Sequence, residues 1–240
     1  MIDPRPLWDF SDPVASEARF RAAVDAATSA GDAAVLRTQV ARALGLQSRY
    51  DEALAELDAV AADEPEVRVR VLLERGRVLR SSGDEDAARP VFRAAAEAAD
   101  AAGLDALAVD AMHMVALTLR GADQVVCTRE ALARARGSHE PAARAWTASL
   151  LNNLGMAHAD LGEWQRALDA FDEALTERRA ASDEQATNAA RWAVGWALRH
   201  VGRRDDALEV QRALRADLVA AGLSDEYVHE ELALLEDPRA

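Results

Sequence analysis

The residues in this sequence that could do chemistry are five histidines, one cysteine and several groups of carboxylates. A zinc protease site would need two histidines in the order HExxH, and His229-Glu230-Glu231 lacks the second. Because Cys127 is the only cysteine, neither an internal disulfide nor a CxxC metal or redox pair can form. The GxSxG and SxxK sequences of acyl-transfer enzymes do not occur either. We therefore expect no enzyme activity, no metal and no cofactor.

Arginine is the residue type with the most binding chemistry to offer, because all 28 basic residues are arginines and lysine does not occur. Without lysine the chain can neither form a Schiff base nor complete a Walker-type phosphate loop. Its net charge of −14 argues against general binding to nucleic acids or anionic membranes, which needs a basic surface. A planar guanidinium group instead suits the bidentate capture of a carboxylate or a phosphate.

Two groups of residues have a spacing that favours binding. Arg70, Arg77 and Arg80 are spaced i, i+7 and i+10, which places them on one face of a helix. Trp192 and Trp196 are one helical turn apart and would form a flat apolar platform. Together they favour an acidic peptide or protein segment that carries an apolar anchor. The alternative is that nearby acids neutralise the arginines and that the tryptophans are core residues.

The helices that must position these residues follow from a repeat, which is clearest in residues 150–175. A small residue is followed twelve positions later by a second small residue, and then by larger residues at helical spacing. This order is typical of two antiparallel helices, A and B, that cross closely at the small residues. The first small residue, here called the anchor, recurs at Ala41, Gly76, Ala116, Gly155 and Gly195. The steps of 35, 40, 39 and 40 residues predict five helix pairs.

Composition and turn residues support an all-α fold. Alanine, leucine, arginine and glutamate are strong helix formers, and runs with the period-two alternation of a strand do not occur. The predicted turns carry glycines that can end a helix in the left-handed conformation, namely Gly83, Gly121, Gly162 and Gly202. Acids such as Asp84-Glu85-Asp86 then open the next helix, where they complement its dipole. We interpret the acidic excess as helix capping and not as a metal site.

The repeat resembles the tetratricopeptide repeat, and the resemblance covers residues 33–221. Its best match lies within residues 150–175, in the order L-G-x-x-x-x-x-L-G-x-W-x-x-A-x-x-x-F-x-x-A. The period of about 40 and the sequence of Leu151–Gly155 are similar to the extended repeats of kinesin light chains and bacterial regulators. The whole chain resembles actinobacterial tetratricopeptide-repeat proteins that begin with a segment like Leu7–Pro13. The resemblance implies a right-handed superhelix of helix pairs.

In such a superhelix the A helices line an inner, concave groove, and the repeat register decides which residues face it. The inward stripe includes the positions three before, one after and four after each anchor. Together with flanking positions, the residues predicted to line the groove are Arg42, Arg70, Leu73, Arg77, Arg80, His113, Arg120, Asn152, Asn153, Met156, Trp192, Trp196 and Arg199. Asn153 matches an asparagine that contacts the peptide backbone in kinesin-light-chain-like repeats. His158 falls at a core position and is predicted to be packed inside.

The sequence predicts a single structural domain in three parts. Residues 1–32 are expected to form an N-terminal segment and a capping helix, residues 33–221 the five helix pairs, and residues 222–240 a C-terminal capping helix. Caps of this kind keep the terminal faces of a repeat stack soluble.

Four details of these parts are also predicted. The first capping helix should cover about Val14–Ser29, and the last should lie near Ser224–Glu236. Trp8 and Phe10 are expected to pack over the first helices as a plug. Pro90 should delay the start of its B helix or kink it, because proline lacks the backbone N–H that a helix interior needs.

The function that these observations favour is a cytoplasmic, bacterial protein–protein interaction scaffold that binds an acidic peptide or protein segment in the groove. A cytoplasmic location is expected because a lone thiol suits a reducing compartment and the first residues lack the order of a signal peptide. The main alternative is a sensor that binds a small signalling peptide or metabolite inside the superhelix. Self-association through the end helices is a further alternative, and the oligomeric state stays open.

Overall fold

The structure, a computed structural model, describes residues 1–181 and 183–237, and every regular element in them is helical. The fold is therefore all-α, as the sequence predicts. A 3-10 turn at Arg5–Leu7 comes first. The α-helices in chain order are α1 (Pro13–Ala26), α2 (Ala30–Leu46), α3 (Tyr50–Asp58), α4 (Pro65–Ser81), α5 (Glu85–Ala102), α6 (Asp105–Ala116), α7 (Gly121–Gly137), α8 (Pro141–Arg144), α9 (Thr147–Asp160), α10 (Trp164–Ala181), α11 (Glu184–His200), α12 (Arg204–Ala220) and α13 (Glu226–Glu236). None of these helices combines the length and the apolarity that crossing a bilayer requires.

The chain divides into two compact units. The first contains Met1–Leu119 and Gly137–Arg144, and the second contains Arg120–Arg136 and the described residues from Ala145 onward. Two predicted helix pairs, α2 with α3 and α4 with α5, lie wholly in the first unit, and α9 with α10 and α11 with α12 lie in the second. The third predicted pair is divided, because α6 belongs to the first unit and α7 to the second. The single structural domain remains a prediction.

The anchors mark the closest approach of the A and B helices within a pair. A Cβ added to Gly76 would lie 2.6 Å from Cδ1 of Phe92, and one added to Gly155 would lie 2.6 Å from Cδ1 of Phe171. Both rings are fully buried. The aromatic ring of the B helix thus fills the volume that a missing side chain leaves on the A helix. The periodic order of small and large residues in the sequence is confirmed as helix-pair packing.

Turns and helix caps follow the predicted chemistry. The four glycines predicted in turns have φ between 63° and 96°, in the left-handed region where a residue without Cβ is favoured. Asp84 caps α5, since its side chain accepts a hydrogen bond from the backbone N–H of Ala87 at 2.9 Å. Asp225 caps α13 in the same way, so the last helix begins at Glu226, close to its predicted position.

The N-terminal residues 1–12 pack on α1 and α2. The ring of Trp8 meets that of Phe20 edge-on, with centroids 4.9 Å apart, and its Nε1 donates to Oε1 of Gln39 at 3.0 Å. Phe10 stacks on Trp8 at a centroid distance of 4.6 Å and an interplanar angle of 2°. The predicted packing over the first helices is confirmed for Trp8, whereas Phe10 is 59% exposed and stacks on the outer face of Trp8.

Two helix boundaries differ from the predictions. Helix α1 ends at Ala26, before the predicted Ser29, because the Ser29 hydroxyl accepts a hydrogen bond from the backbone N–H of Asp32 at 3.0 Å and so begins α2. Helix α5 begins at Glu85 and continues through Pro90. The expectation that Pro90 delays the start of this helix is therefore wrong, since the cap upstream decides where it begins.

Candidate binding surfaces

Arg77, at the centre of the predicted basic stripe, is an internal link of the first unit. It donates from Nη1 to Oε1 of Glu74 at 2.5 Å, and from Nη2 to both oxygens of Asp110 at 2.5 and 2.7 Å. Both acids are buried. Burial alone would lower the pKa of Arg77, but these two carboxylates raise it above its ordinary value. Arg77 thus ties α4 to α6, and its charge is already neutralised.

The other arginines of the first unit differ in how tightly they are held. Arg70 hydrogen-bonds the glutamate one turn before it at 2.9 Å. In contrast, Nε of Arg80 lies 3.8 Å from Glu85, and Nη1 of Arg42 lies 3.9 Å from Glu74. These two distances exceed the range of a hydrogen bond. Arg42 and Arg80 are therefore ion-paired only loosely.

Arg42 is partly covered by the N-terminal segment. The central carbon of its guanidinium group lies 5.5 Å from the ring centroid of Trp8 and 5.4 Å from that of Phe10, within cation–π range. Burial and the nearby charge of Arg77 lower the pKa of Arg42. A ligand that reaches this guanidinium group would have to approach it beside the two rings.

Leu73 and His113 are less open than the predicted groove requires. Leu73 is only 1% exposed, so the structure corrects its assignment: it is a core residue, removed from water by packing. His113 is half-buried on α6. Burial lowers its pKa, the charges of Arg77 and Arg80 lower it further, and Asp110 acts in the opposite direction. The His113 ring is therefore neutral near pH 7.

In the second unit, α9 presents three of the predicted residues. Asn152 and Asn153 are half-buried, and Met156 is 38% exposed. Arg120 is also exposed in this unit. Amide and thioether groups on one helix can contact a bound peptide through its backbone and an apolar side chain.

The predicted tryptophan platform is part of a larger aromatic cluster in the second unit. Trp192 and Trp196 are nearly parallel, with centroids 5.7 Å apart and an interplanar angle of 10°. Trp164 meets Trp196 edge-on at 4.9 Å, and His200 stacks on Trp164 at 3.6 Å. The Trp192 Nε1 group donates to the backbone carbonyl of Tyr227 at 3.1 Å. All three tryptophans are half-buried against the core, so only parts of their surfaces can meet a ligand.

Helix α13 covers one end of this cluster. Arg199 on α11 donates to Glu231 on α13 from Nε at 2.6 Å and from Nη2 at 3.1 Å, so its charge is paired. Sequence reasoning missed Glu231, and it also missed His200 and Trp164 as members of the cluster. The spacing of Trp192, Trp196 and His200 at four-residue intervals was a signal that could have extended the platform.

Two further candidates for chemistry are His158 and Cys127. His158 is buried, and its Nδ1 lies 2.6 Å from Oε2 of Glu163, which confirms the predicted packed histidine. Cys127 is half-buried. Within the part of the chain that the structure describes, no group of three or more histidine, cysteine, aspartate or glutamate residues could hold a metal ion.

Comparisons with known proteins agree with this geometry. A family model described as tetratricopeptide repeat matches residues 147–184. Among solved structures, BtubC (BKLC) from P. vanneervenii has a TM-score of 0.65 at 15% identity, covering 94% of this chain and 94% of that one. A putative kinesin light chain from Podosopora anserina, with nearly identical TPR-like repeats, has a TM-score of 0.58 at 16% identity, covering 75% of this chain and 92% of that one. A Rap protein complexed with competence and sporulation factor has a TM-score of 0.61 at 11% identity, covering 97% of this chain and 70% of that one. No curated protein matches the sequence significantly.

The fold defines an all-α protein built from repeated helix pairs. Residues 147–184 match the tetratricopeptide repeat, and the solved structures share the fold of repeated helix pairs over most of the chain, in agreement with the resemblance. At these identities the solved structures establish the fold, and the roles of individual side chains follow from the chemistry of this chain alone.

Proposed function

We propose that this protein is a non-enzymatic protein–protein interaction scaffold that binds an acidic peptide or protein segment on the exposed faces of its A helices. Repeated helix pairs present extended surfaces that suit such a role. The binding groups would be arginines that can exchange an internal acid for a carboxylate of the partner. Binding would occur by complementarity of preformed surfaces, without bond making.

The observation that supports this proposal is the difference between Arg77 and its neighbours in the first unit. Arg77 is fully engaged with two buried acids at hydrogen-bond distance. Arg42 and Arg80 have acidic neighbours only at 3.9 and 3.8 Å. Because a carboxylate gains most from a donor whose hydrogen bonds are unmade, Arg42 and Arg80 are the better partners for an acidic segment.

Taken by itself, the second unit offers an apolar contact. Met156 and the half-buried Trp196 carry soft and aromatic surfaces of the kind that anchor bound segments. Asn152 would hydrogen-bond the backbone of the partner. Arg199 is not expected to contribute charge, since Glu231 already holds it.

The test is a selection from a random-peptide display library against the full-length wild type and an Arg80→Gln variant with unchanged circular dichroism. The wild type should enrich sequences rich in aspartate and glutamate, and Arg80→Gln should lose that enrichment. Arg93→Gln, which changes an exposed arginine on α5, is the matched control and should behave as the wild type. Enrichment of sequences without acids, or equal enrichment by Arg80→Gln, would overturn the acidic partner. The sensor alternative predicts instead a rise in melting temperature with a small ligand and no protein partner.

A further inference from the structure

A groove in the second unit lies between the B helices α7 and α10, over the A helix α9. Its volume is about 390 Å³, within the range of small-ligand sites. The apolar part of its lining includes Leu132 and Leu154, which are 6% and 7% exposed, and Leu151, which is 1% exposed and lies just beneath the surface. The groove exists because Ala133 and Ala170 stand on its two walls, where longer side chains would fill it.

Two of the arginines that line this groove are already paired. Arg136 on α7 hydrogen-bonds Glu173 on α10. Arg166 donates to Glu163 at 2.9 Å, and the ring of His158 lies 2.6 Å from the same carboxylate. These two cations are thus engaged by acids of the same unit.

Arg129, on α7, is different from the other charged residues of the lining. It is exposed, and within the described residues it has no ion-pair or hydrogen-bond partner. The lining contains two acids: Glu173, which pairs with Arg136, and Asp169, which accepts a hydrogen bond from Gln165 at 2.9 Å. The lining therefore contains three arginines against two acids, which is the reverse of the balance in the whole chain. A guanidinium group with unused hydrogen-bond donors beside apolar lining residues is complementary to a ligand that has a carboxylate at one end and an apolar chain.

We propose that this groove binds a small amphipathic carboxylate, with its apolar part against the apolar lining residues and its carboxylate on Arg129. The cation of this site lies on the B helix α7, and the site does not involve the arginines of the proposed peptide surface. The two proposals can therefore be tested independently. Specificity would come from the single open cation.

The experiment uses octanoate as the probe, with octanol and octyltrimethylammonium as ligands of similar chain length and different head group. Isothermal titration at concentrations below micelle formation would be performed on the full-length protein. Octanoate should bind saturably to the wild type and more tightly than either comparison ligand. Arg129→Gln should weaken octanoate at least about tenfold and leave octanol unchanged, since a charge-assisted hydrogen bond contributes about 1.5–3 kcal/mol.

Two further variants complete the test. Ala133→Phe should fill the groove and abolish binding of both octanoate and octanol, while its exposed position spares the core. Arg93→Gln removes an exposed arginine of the first unit and should bind octanoate as the wild type does. The proposal is overturned if wild type does not bind octanoate, if Arg129→Gln binds it equally well, or if Ala133→Phe retains binding.

Discussion

The ring of Phe171 occupies the space in which a side chain on Gly155 would have to lie: a Cβ there would come within 2.6 Å of Cδ1. The first repeat solves the same problem differently, since its anchor is Ala41 and the residue sixteen positions later is the smaller Leu57, both buried in one cluster. The anchor and the residue opposite it therefore share a fixed volume. A larger residue on one helix requires a smaller one on the other.

Gly155→Ala should destabilise the protein by about 1–3 kcal/mol, because the added methyl group forces the buried Phe171 ring to move. Chemical denaturation would measure the loss. Gly137→Ala is the control, since a Cβ there meets nothing within 4 Å, and it should change stability by less than about 0.5 kcal/mol. The double variant Gly155→Ala, Phe171→Leu should recover part of the loss, because it recreates the pairing of Ala41 with Leu57. A double variant no more stable than Gly155→Ala would contradict the shared-volume explanation.

Gln211→Phe should stabilise the protein by about 1 kcal/mol, because added apolar burial and the removal of an unsatisfied oxygen outweigh the hydrogen bond that Nε2 donates to the Trp192 carbonyl at 3.0 Å. Gln211 is fully buried and lies opposite Gly195. Two other repeats have phenylalanine at the position of Gln211. Among the described residues, its Oε1 has no hydrogen-bond partner. A higher melting temperature by differential scanning calorimetry is expected. Gln211→Leu, which cannot fill the ring volume, should gain less, and a Gln211→Phe protein less stable than wild type would show that the site cannot hold a ring.

Ser48→Gly should stabilise the protein by about 0.5–1 kcal/mol, because relief of about 1–2 kcal/mol of left-handed strain outweighs the greater freedom of glycine in the unfolded chain. Ser48 has φ of 61° and is the one residue other than glycine with positive φ in the described chain, seven positions after its anchor, where three other repeats have glycine. Ser82→Gly is the control, since φ of Ser82 is −77° and glycine would relieve no backbone strain there. A urea titration would measure both variants, and Ser82→Gly should destabilise the protein.

Stability should fall as the pH drops below about 6.5, in part because of His113. Its pKa is lowered in the folded protein by burial and by Arg77 and Arg80, whereas the unfolded chain has the ordinary value of 6.5. The unfolded state therefore binds the proton more readily, so the free energy of unfolding rises with pH through this window, and the contribution is complete above pH 6.5. His113→Gln should flatten the slope of unfolding free energy against pH. His139→Gln, at an exposed histidine, is the control, and equal slopes for both variants would exclude the assigned role.

The helix pairs could be predicted from the sequence because their packing is local and periodic. The anchors Gly76, Gly155 and Gly195 each lie against the residue sixteen positions later in the same pair, so the pattern of sizes is visible in one stretch of chain. The turn glycines and the capping acids could be predicted for the same reason, since they act within four residues of themselves.

The candidate site was harder to predict because its charges are decided by partners far along the chain. Arg77 is neutralised by Asp110, and Arg199 by Glu231, each more than thirty residues away. Repeat register places such an arginine on a helix face, but it does not show which acid of the next A helix reaches it. Leu73 illustrates the same limit, since register alone does not distinguish a residue on the groove surface from one just beneath it.

The backbone passes between the two compact units three times, after Leu119, after Arg136 and after Arg144. No single cut therefore yields two fragments that each keep all of their own helices. Cleavage after Leu119 separates the first unit from α8, and cleavage after Arg144 leaves α7 with the wrong fragment. Repeat proteins commonly grow or shrink in evolution by whole repeats, because each repeat contacts only its neighbours. Here the middle repeat cannot be duplicated or lost without damage to both units, so changes in length should spare this repeat.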